Sequence, residues 1–147
     1  MEPLKTWSGR CRCGKLRLRF ETGLAFEQLI PRACDCDFCQ QRGAAYVSDP
    51  HGRLVIEADE QDSLHFVRQG SETAEFVLCG DCGDVLAVVF DDDNIRYGSL
   101  NANCLAERAS LPTAQAASPK LLATDEKKRR WRRLWVPAVA IRVGTAA

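Results

Sequence analysis

Seven of the eight cysteines in this chain lie in three short groups. The groups are Cys11-Arg12-Cys13, Cys34-Asp35-Cys36-Asp37-Phe38-Cys39 and Cys79-Gly80-Asp81-Cys82. Thiolates at this spacing can converge on one ion, and zinc prefers tetrahedral thiolate coordination. A single C-x-x-C pair would also suit a redox dithiol. Three groups in one chain favour metal, so we predict a zinc protein whose function lies at its metal sites.

Seven clustered ligands do not divide into two closed sites of four. In the simplest partition, the two pairs form one closed structural site: Cys11, Cys13, Cys79 and Cys82. The third group then forms a site with one open coordination position: Cys34, Cys36 and Cys39. An open position is typical of catalytic zinc. The spacing alone does not force this partition, because Cys104 could close the second site, although we interpret it as a buried small hydrophobe.

The composition supports metal binding over disulfides. Residues 1–7 lack the apolar stretch of a signal peptide, so we expect a cytoplasmic protein, in which clustered cysteines more often bind metal. The 20 basic and 20 acidic side chains cancel, so no global field draws the protein to nucleic acid or to a membrane. No apolar run approaches the roughly 20 residues that span a bilayer.

The elements that must position these cysteines are mainly strands. Leu16, Leu18 and Phe20 alternate with charged residues, which predicts a strand with one buried face. Further short strands are predicted at residues 44–47, 54–57, 64–68, 75–78, 85–90 and 95–97. Turn formers separate them, as in Asp49-Pro50-His51-Gly52. The pattern predicts a mainly β fold with antiparallel pairing.

The remaining segments complete one predicted domain over residues 1–147. We predict short helices at residues 102–110 and 125–135, a surface loop at 110–118 and a closing strand at 136–143. Pro137 places that strand at a sheet edge. The basic segment 127–133 is interpreted as a solvated helix with Trp131 and Trp135 packed on the core, and nucleic acid is not expected as a partner.

Other polar residues receive structural interpretations. His51 and His65 are expected on the surface without an acid–base role. Asp35 and Asp37 are interpreted as turn residues that bond local amides, with tuning of the open site as the alternative. The run Asp91-Asp92-Asp93 lacks the spacing of a calcium loop and predicts a solvated turn.

Four segments together resemble the glutathione-dependent formaldehyde-activating enzyme and centromere protein V family. They are Gly9-Arg10-Cys11-Arg12-Cys13-Gly14, Cys34-Asp35-Cys36-Asp37-Phe38-Cys39, Phe76-Val77-Leu78-Cys79-Gly80-Asp81-Cys82-Gly83 and, more weakly, Gly98-Ser99-Leu100-Asn101-Ala102-Asn103-Cys104-Leu105. The resemblance spans residues 7–105 with the motifs in order. Arg12 stands where the family often has His, and Asn103 where it often has Arg. The tail after Leu105, with its Arg-rich segment, matches no pattern that we can place.

The resemblance implies a zinc-binding domain of several coiled β-sheets with two zinc ions per chain. It implies a structural zinc on Cys11, Cys13, Cys79 and Cys82, and a catalytic zinc on Cys34, Cys36 and Cys39. The implied activity is that of a carbon–sulfur lyase, S-(hydroxymethyl)glutathione synthase, whose partners are a thiol such as glutathione and a small aldehyde, formaldehyde.

Two hypotheses of different classes follow. In the first, the open three-thiolate site performs thiol–aldehyde chemistry, because a thiol that coordinates zinc is deprotonated. In the second, both metals are structural and the protein is a non-catalytic, zinc-stabilised binding module. Whether the second zinc keeps an exchangeable ligand distinguishes them.

Overall fold

The computed structural model describes residues 5–34, 43–68, 74–106, 108, 111–117 and 124–144. These residues form eleven strands, one α-helix and three short 3-10 helices. The strands are β1 (Lys5–Arg10), β2 (Leu16–Thr22), β3 (Arg32–Cys34), β4 (Ala45–Val47), β5 (Arg53–Ala58), β6 (Leu64–Arg68), β7 (Glu75–Cys79), β8 (Val85–Asp92), β9 (Ile95–Asn101), β10 (Gln115–Ala117) and β11 (Val139–Val143). Helix α1 spans Thr124–Leu134, and the 3-10 helices span Phe26–Gln28, Gln61–Ser63 and Ala102–Cys104. The prediction of a mainly β fold is confirmed.

The smaller sheet has four strands in the order β1-β2-β5-β11. Leu16, Leu18 and Phe20 of β2 are fully buried, as their alternation with arginine and lysine predicts. β11 lies at the edge and pairs parallel to β5. The predicted edge position is therefore confirmed. Pro137 lies just before the strand, so its lack of a backbone N–H removes no hydrogen bond between strands.

The larger sheet has seven strands in the order β10-β3-β4-β9-β8-β7-β6. At its centre, the run from Val85 to Phe90 in β8 is buried at every residue. A strand that is buried on both faces has a continuous run of apolar residues, because the side chains on each face pack against other apolar groups. β8 and β9 form a hairpin whose turn residues, Asp93 and Asn94, have φ values of 52° and 66°. Aspartate and asparagine tolerate this left-handed conformation better than most residues.

One core lies between the two sheets, and a second lies between the larger sheet and α1. The first core includes Phe20, Ile56, Leu86 and Leu100. In the second, Trp131 and Trp135 stack with ring centroids 4.7 Å apart, and Phe90 meets both rings edge-on. The predicted packing of the tryptophans on the core is thus confirmed.

Helix α1 agrees with the prediction to within one residue at each end. Asp125 and Glu126 lie in its first turn, and Arg132 and Arg133 lie in its last. Negative charge near the N-terminus and positive charge near the C-terminus both interact favourably with the helix macrodipole. This arrangement of charges, together with the buried tryptophans, explains why so polar a segment is helical.

Three local predictions need correction. The helix predicted over residues 102–110 is interrupted: Ala102–Cys104 form a 3-10 turn and Leu105 forms a β-bridge with Gly9, whereas residues 107, 109 and 110 lie outside the described residues. The loop predicted over residues 110–118 contains β10, which pairs parallel to β3. Strands β1 and β3 were not predicted from the sequence. Short strands of this kind are stabilised by their partners rather than by their own composition.

The predicted surface positions of both histidines are confirmed, since His51 and His65 are exposed. The imidazole of His65 packs over Gly80, where an added Cβ would lie 2.8 Å from Nε2. Of the acidic run, Asp91 and Asp92 extend β8, and Asp93 begins the turn.

Candidate metal centre

Two turns from different sheets meet at the four paired cysteines. Cys11 and Cys13 lie in the turn between β1 and β2 of the smaller sheet, whereas Cys79 ends β7 and Cys82 lies in the turn toward β8 of the larger sheet. Their four Sγ atoms all lie within 4.8 Å of one another. A metal ion at this position would therefore bridge the two sheets.

The two turns have similar backbone geometry. The Gly14 amide donates to the Cys11 carbonyl at 3.1 Å, and the Gly83 amide donates to the Cys79 carbonyl at 2.9 Å. Gly14 and Gly83 have φ values of 80° and 78°, which a side chain would disfavour. Each turn thus folds back behind its cysteines and directs both sulfurs to the same side.

The distances between sulfurs fit a zinc ion. Cys11 Sγ and Cys79 Sγ each lie 3.5 Å from Cys13 Sγ. A zinc tetrahedron with bonds near 2.3 Å separates its sulfurs by about 3.8 Å, whereas a disulfide requires about 2.05 Å. The backbone N–H groups of Leu16 and Asp81 each point at a cysteine sulfur at 3.4 Å, as suits a thiolate. The cluster can therefore hold one metal ion, and its donors suit zinc.

The four thiols have unequal proton affinities. Burial raises the pKa of Cys79 to about 12 and also raises the pKa of Cys11. Burial acts in the same direction at Cys82, but hydrogen bonds from the amides of Asp84 and Cys13 and from neighbouring thiols lower its pKa to about 7. Since zinc binds thiolates, the buried thiols must lose their protons when the metal binds.

A charged clamp joins the two cysteine turns. Asp84 accepts hydrogen bonds from the Arg12 backbone N–H at 2.7 Å and from Arg12 Nε at 2.8 Å, and Arg12 Nη2 donates to the Cys82 carbonyl at 2.6 Å. Lys15 and Asp81 add a second link at 3.3 Å. The sequence analysis noted Arg12 only as a departure from the family. Its opposite charge to Asp84, which follows the C-x-x-C-G group, was the available signal.

The three-cysteine group lies largely outside the described residues. Cys34 ends strand β3, and its backbone is described, but Cys36, Cys39, Asp35 and Asp37 lie outside. Just beyond the group, the amide Nδ2 of Asn103 donates to the Gly43 carbonyl at 2.7 Å. The open zinc site on Cys34, Cys36 and Cys39 therefore stays a prediction.

Cys104 lies apart from the four-sulfur cluster. It is buried, and its Sγ donates to the Val85 carbonyl at 3.3 Å. Burial, reinforced by the charge of Asp84, raises its pKa to about 12. These features agree with the interpretation of Cys104 as a small hydrophobe with a weak S–H donor.

A cleft of 1230 Å³ opens beside the metal centre. Five arginines and two acidic residues line it: Arg10, Arg12, Arg17, Arg19, Arg108, Glu57 and Asp84. Arg12 pairs with Asp84, Arg17 with Asp59 and Arg19 with Glu57. The cleft is therefore basic, although a four-thiolate zinc centre beside it would offset part of that charge.

A further arginine lies half-buried on the other side of the larger sheet from the inter-sheet core. Burial, together with the positive charge of Arg130 in α1, lowers the pKa of Arg32 in β3 to about 10. Its Nη2 donates to Ser48 Oγ at 2.8 Å and to Ser99 Oγ at 3.4 Å. The sequence analysis did not single out Arg32, because nothing in its local pattern separates it from a surface arginine.

Comparison with known proteins supplies the family. A model of the glutathione-dependent formaldehyde-activating enzyme family matches residues 6–120, which include all three cysteine groups. The chain belongs to this family. The family suggests activation of formaldehyde with glutathione, and the four-cysteine cluster is consistent with a family that uses zinc.

A solved structure is similar to this chain. It is the crystal structure of a Rhodobacter sphaeroides protein studied in structural genomics, 26% identical, with a TM-score of 0.51. The match covers 67% of this chain and 87% of the other. No curated protein matched the chain. In the part of the chain that the structure describes, no helix is long and apolar enough to cross a membrane.

Proposed function

We propose that this protein is a zinc-dependent carbon–sulfur lyase-type enzyme, similar to S-(hydroxymethyl)glutathione synthase. Its substrates are a thiol of the glutathione type and a small aldehyde such as formaldehyde. The observation that carries the proposal is the family match across residues 6–120, which includes both the pairs and the three-cysteine group. The convergence of four sulfurs within 4.8 Å supports metal binding by this chain.

We assign two zinc ions to one domain of residues 1–147. Cys11, Cys13, Cys79 and Cys82 hold the structural ion, and Cys34, Cys36 and Cys39 hold the catalytic one. Four protein sulfurs leave no coordination position for a substrate, whereas three leave one. Free thiols also suit a reducing compartment, and we therefore place the enzyme in the cytoplasm.

The reaction is an addition in which atoms and charge balance without an oxidant. The sulfur of the thiol forms a bond to the aldehyde carbon, the C=O double bond becomes a single bond, and the thiol proton moves to the carbonyl oxygen. Zinc at the three-cysteine group would supply a Lewis acid that stabilises the thiolate. The lyase direction reverses each of these changes.

The chain's own contribution is to hold the three-cysteine group in position. β3 leads into the group from the larger sheet, where it lies second from the edge, between β10 and β4. The hydrogen bond from Asn103 Nδ2 to the Gly43 carbonyl fixes the backbone just after the group. Asn103 is itself held by a hydrogen bond from its backbone N–H to Asn101 Oδ1 at 3.1 Å. A site with rigid support on both sides keeps its geometry during turnover.

The decisive experiment measures glutathione–formaldehyde exchange by nuclear magnetic resonance. Because thiols add to formaldehyde without a catalyst, the readout is the exchange rate rather than the product. Wild type should accelerate exchange, and Cys36→Ser should lose most of the acceleration. Cys104→Ser is the matched control and should retain it. Equal rates for wild type and Cys36→Ser, with both folded and zinc-loaded, would contradict the proposal and favour a non-catalytic binding module.

A further inference from the structure

Arg32 brings a positive charge into the fold, and its partners in the described part of the chain are neutral side chains. It is the first residue of β3, pairs in register with Tyr46 and is only partly exposed. Among the described residues, no aspartate or glutamate forms an ion pair with it. A guanidinium half removed from water usually has an anionic partner, because its desolvation is otherwise uncompensated.

The two hydrogen-bond partners of Arg32 are neutral hydroxyls with fixed orientations. Ser48 Oγ donates its own proton to the Leu134 carbonyl at 2.7 Å, and Ser99 Oγ donates to the Val47 carbonyl at 3.0 Å. Both hydroxyls must therefore act as acceptors toward Arg32 Nη2. The guanidinium has five N–H donors, and within the described residues those on Nε and Nη1 have no acceptor. The serines thus hold the group in place and leave donors free.

A second cation lies close to the first. Arg130 on α1 is near enough for its charge to act on Arg32, and within the described part of the chain it forms no ion pair either. Two positive charges held close together repel each other. An anion that contacts both guanidinium groups would relieve that repulsion. Arg32 and Arg130 together form what we call the arginine pair.

The arginine pair lies next to the predicted open zinc site along the chain. Arg32 precedes Cys34 by two residues in the same strand, so their Cα atoms are separated by about 6.6 Å. A molecule whose anionic end meets the arginine pair would therefore have its other end beside the three-cysteine group. A peptide-like thiol with free carboxylates carries an anionic end and a thiol in one molecule.

We propose that the arginine pair binds a carboxylate of the thiol substrate and so makes this enzyme select carboxylate-bearing thiols over neutral ones. The inference rests on the proposed function for the identity of the ligand. Arg32 acts here as a specificity-determining residue: it binds the substrate away from the reacting sulfur, so its removal should raise KM and leave kcat almost unchanged.

The first test measures binding without turnover. S-methylglutathione keeps both carboxylates but has no free thiol, and its binding to the zinc-loaded protein is measured by calorimetry. Arg32→Gln should weaken binding by about 10–100-fold, as expected for loss of hydrogen bonds to a charged group, and Arg130→Gln by less. Arg142→Gln, which removes an exposed arginine of β11, should bind like wild type. The diethyl ester of the probe should bind wild type as weakly as the acid binds Arg32→Gln.

The second test uses the exchange assay with two thiols. For glutathione, Arg32→Gln should raise KM at least 10-fold with kcat within about twofold of wild type, and Arg32→Lys should recover part of the loss. For 2-mercaptoethanol, which has no carboxylate, KM should be the same in both proteins. An equal rise in KM for the two thiols would indicate a structural role and overturn the proposal.

The two proposals fail separately. If wild type does not accelerate exchange but S-methylglutathione still binds in an Arg32-dependent way, the activity is wrong and the anion site stands. If exchange occurs and Arg32→Gln leaves the binding of S-methylglutathione unchanged, the arginine pair is not a carboxylate site. Absence of S-methylglutathione binding to wild type would also overturn it.

Discussion

Individual residues at the two centres differ in what compensates their charge. The Cys11, Cys13, Cys79 and Cys82 sulfurs lie within 4.8 Å of one another without disulfides. Four thiolates at this distance repel strongly unless a cation lies between them. The arginine pair carries the opposite charge: it consists of two cations, and neither forms an ion pair with a carboxylate among the described residues. Both arrangements are explained most simply by a ligand of opposite charge.

Loss of one cluster sulfur should release the structural zinc. In Cys79→Ser we expect zinc affinity at the cluster to fall by more than the roughly 10–100-fold that typically follows loss of an outer-shell partner, and stability to fall with it. Cys104→Ser should keep the wild-type zinc content, because Cys104 bonds to the Val85 carbonyl rather than to the cluster. Elemental analysis after dialysis measures the difference. Equal zinc content in the two variants would contradict the assignment.

The Arg12–Asp84 clamp should stabilise the cluster by a smaller amount. Asp84→Asn weakens two hydrogen bonds that join the cysteine turns, so we expect the free energy of unfolding to fall by about 1 kcal/mol. Asp91→Asn breaks an exposed ion pair with Arg96 remote from the metal, and should cost no more than about 0.5 kcal/mol. Denaturant unfolding of the zinc-loaded proteins compares them. A larger loss in Asp91→Asn would show that the clamp is unimportant.

Arg32 should cost stability when no ligand is bound. Its pKa of about 10 in the folded protein lies below the ordinary arginine pKa of 12.5, so folding disfavours its charged form by roughly 3 kcal/mol. This cost is present at neutral pH and is relieved only as the pH rises above about 10. After about 1 kcal/mol for the lost serine bonds, Arg32→Met should raise the free energy of unfolding by about 1–2 kcal/mol. Arg142→Met should change it by less than about 0.5 kcal/mol, and a loss of stability in Arg32→Met would contradict this account.

Elements of secondary structure position the residues through a few close approaches. At Gly9, an added Cβ would lie 2.5 Å from the Cys104 carbonyl oxygen, because β1 pairs there with Leu105. This contact brings the first cysteine turn against the segment that carries Cys104. At Gly98 of β9, an added Cβ would lie 2.8 Å from Val139 of β11, so the edge strand of the smaller sheet closely approaches the central strand of the larger one.

Gly9→Ala should therefore separate these elements. The added methyl group meets backbone, which cannot rotate away, and we expect a loss of about 1–3 kcal/mol, as for overpacked cores. Ser8→Ala, one residue earlier and exposed, should be nearly neutral. Thermal unfolding monitored by tryptophan fluorescence reports both variants. If Gly9→Ala unfolds at the wild-type temperature, the close approach does not limit this part of the fold.

At the scale of the whole molecule, the four-cysteine cluster links the turn of one sheet to the turn of the other. The sheets are also joined by the apolar core that includes Phe20, Ile56, Leu86 and Leu100. A structural metal contributes its binding energy to folding, and here it would act on the relative position of both sheets. The family match spans this arrangement, from residue 6 to residue 120.

Removal of metal should therefore occur in two stages. A mild chelator should first remove the zinc that we assign to Cys34, Cys36 and Cys39, with loss of exchange activity and little change in circular dichroism. Removal of the second zinc should lower the unfolding temperature by more than about 10 °C, since several kcal/mol are lost. Colorimetric detection of released zinc gives the two rates. A single rate, or one zinc per chain, would contradict the two-site assignment.

Much of the fold was predictable because it depends on short-range patterns. The alternation of Leu16, Leu18 and Phe20 identified a half-buried strand, and the apolar run at 85–90 identified a central one. The acidic first turn and the spacing of Trp131 and Trp135 identified α1. In contrast, β10 and the short turn at Ala102–Cys104 depend on partners far along the chain, β3 and Gly9, which local composition does not reveal.

The sequence by itself determined that cysteines come in metal-binding groups, because ligand spacing within one turn is a local property. Only the tertiary structure decided which distant side chains compensate one another. Arg12 meets Asp84 across 72 positions, whereas Arg32 bonds to two serines and lies within the electrostatic influence of Arg130. The physical reason is that burial and charge pairing are set by long-range packing, so an arginine with an acidic partner and one with only neutral partners among the described residues have similar local sequence.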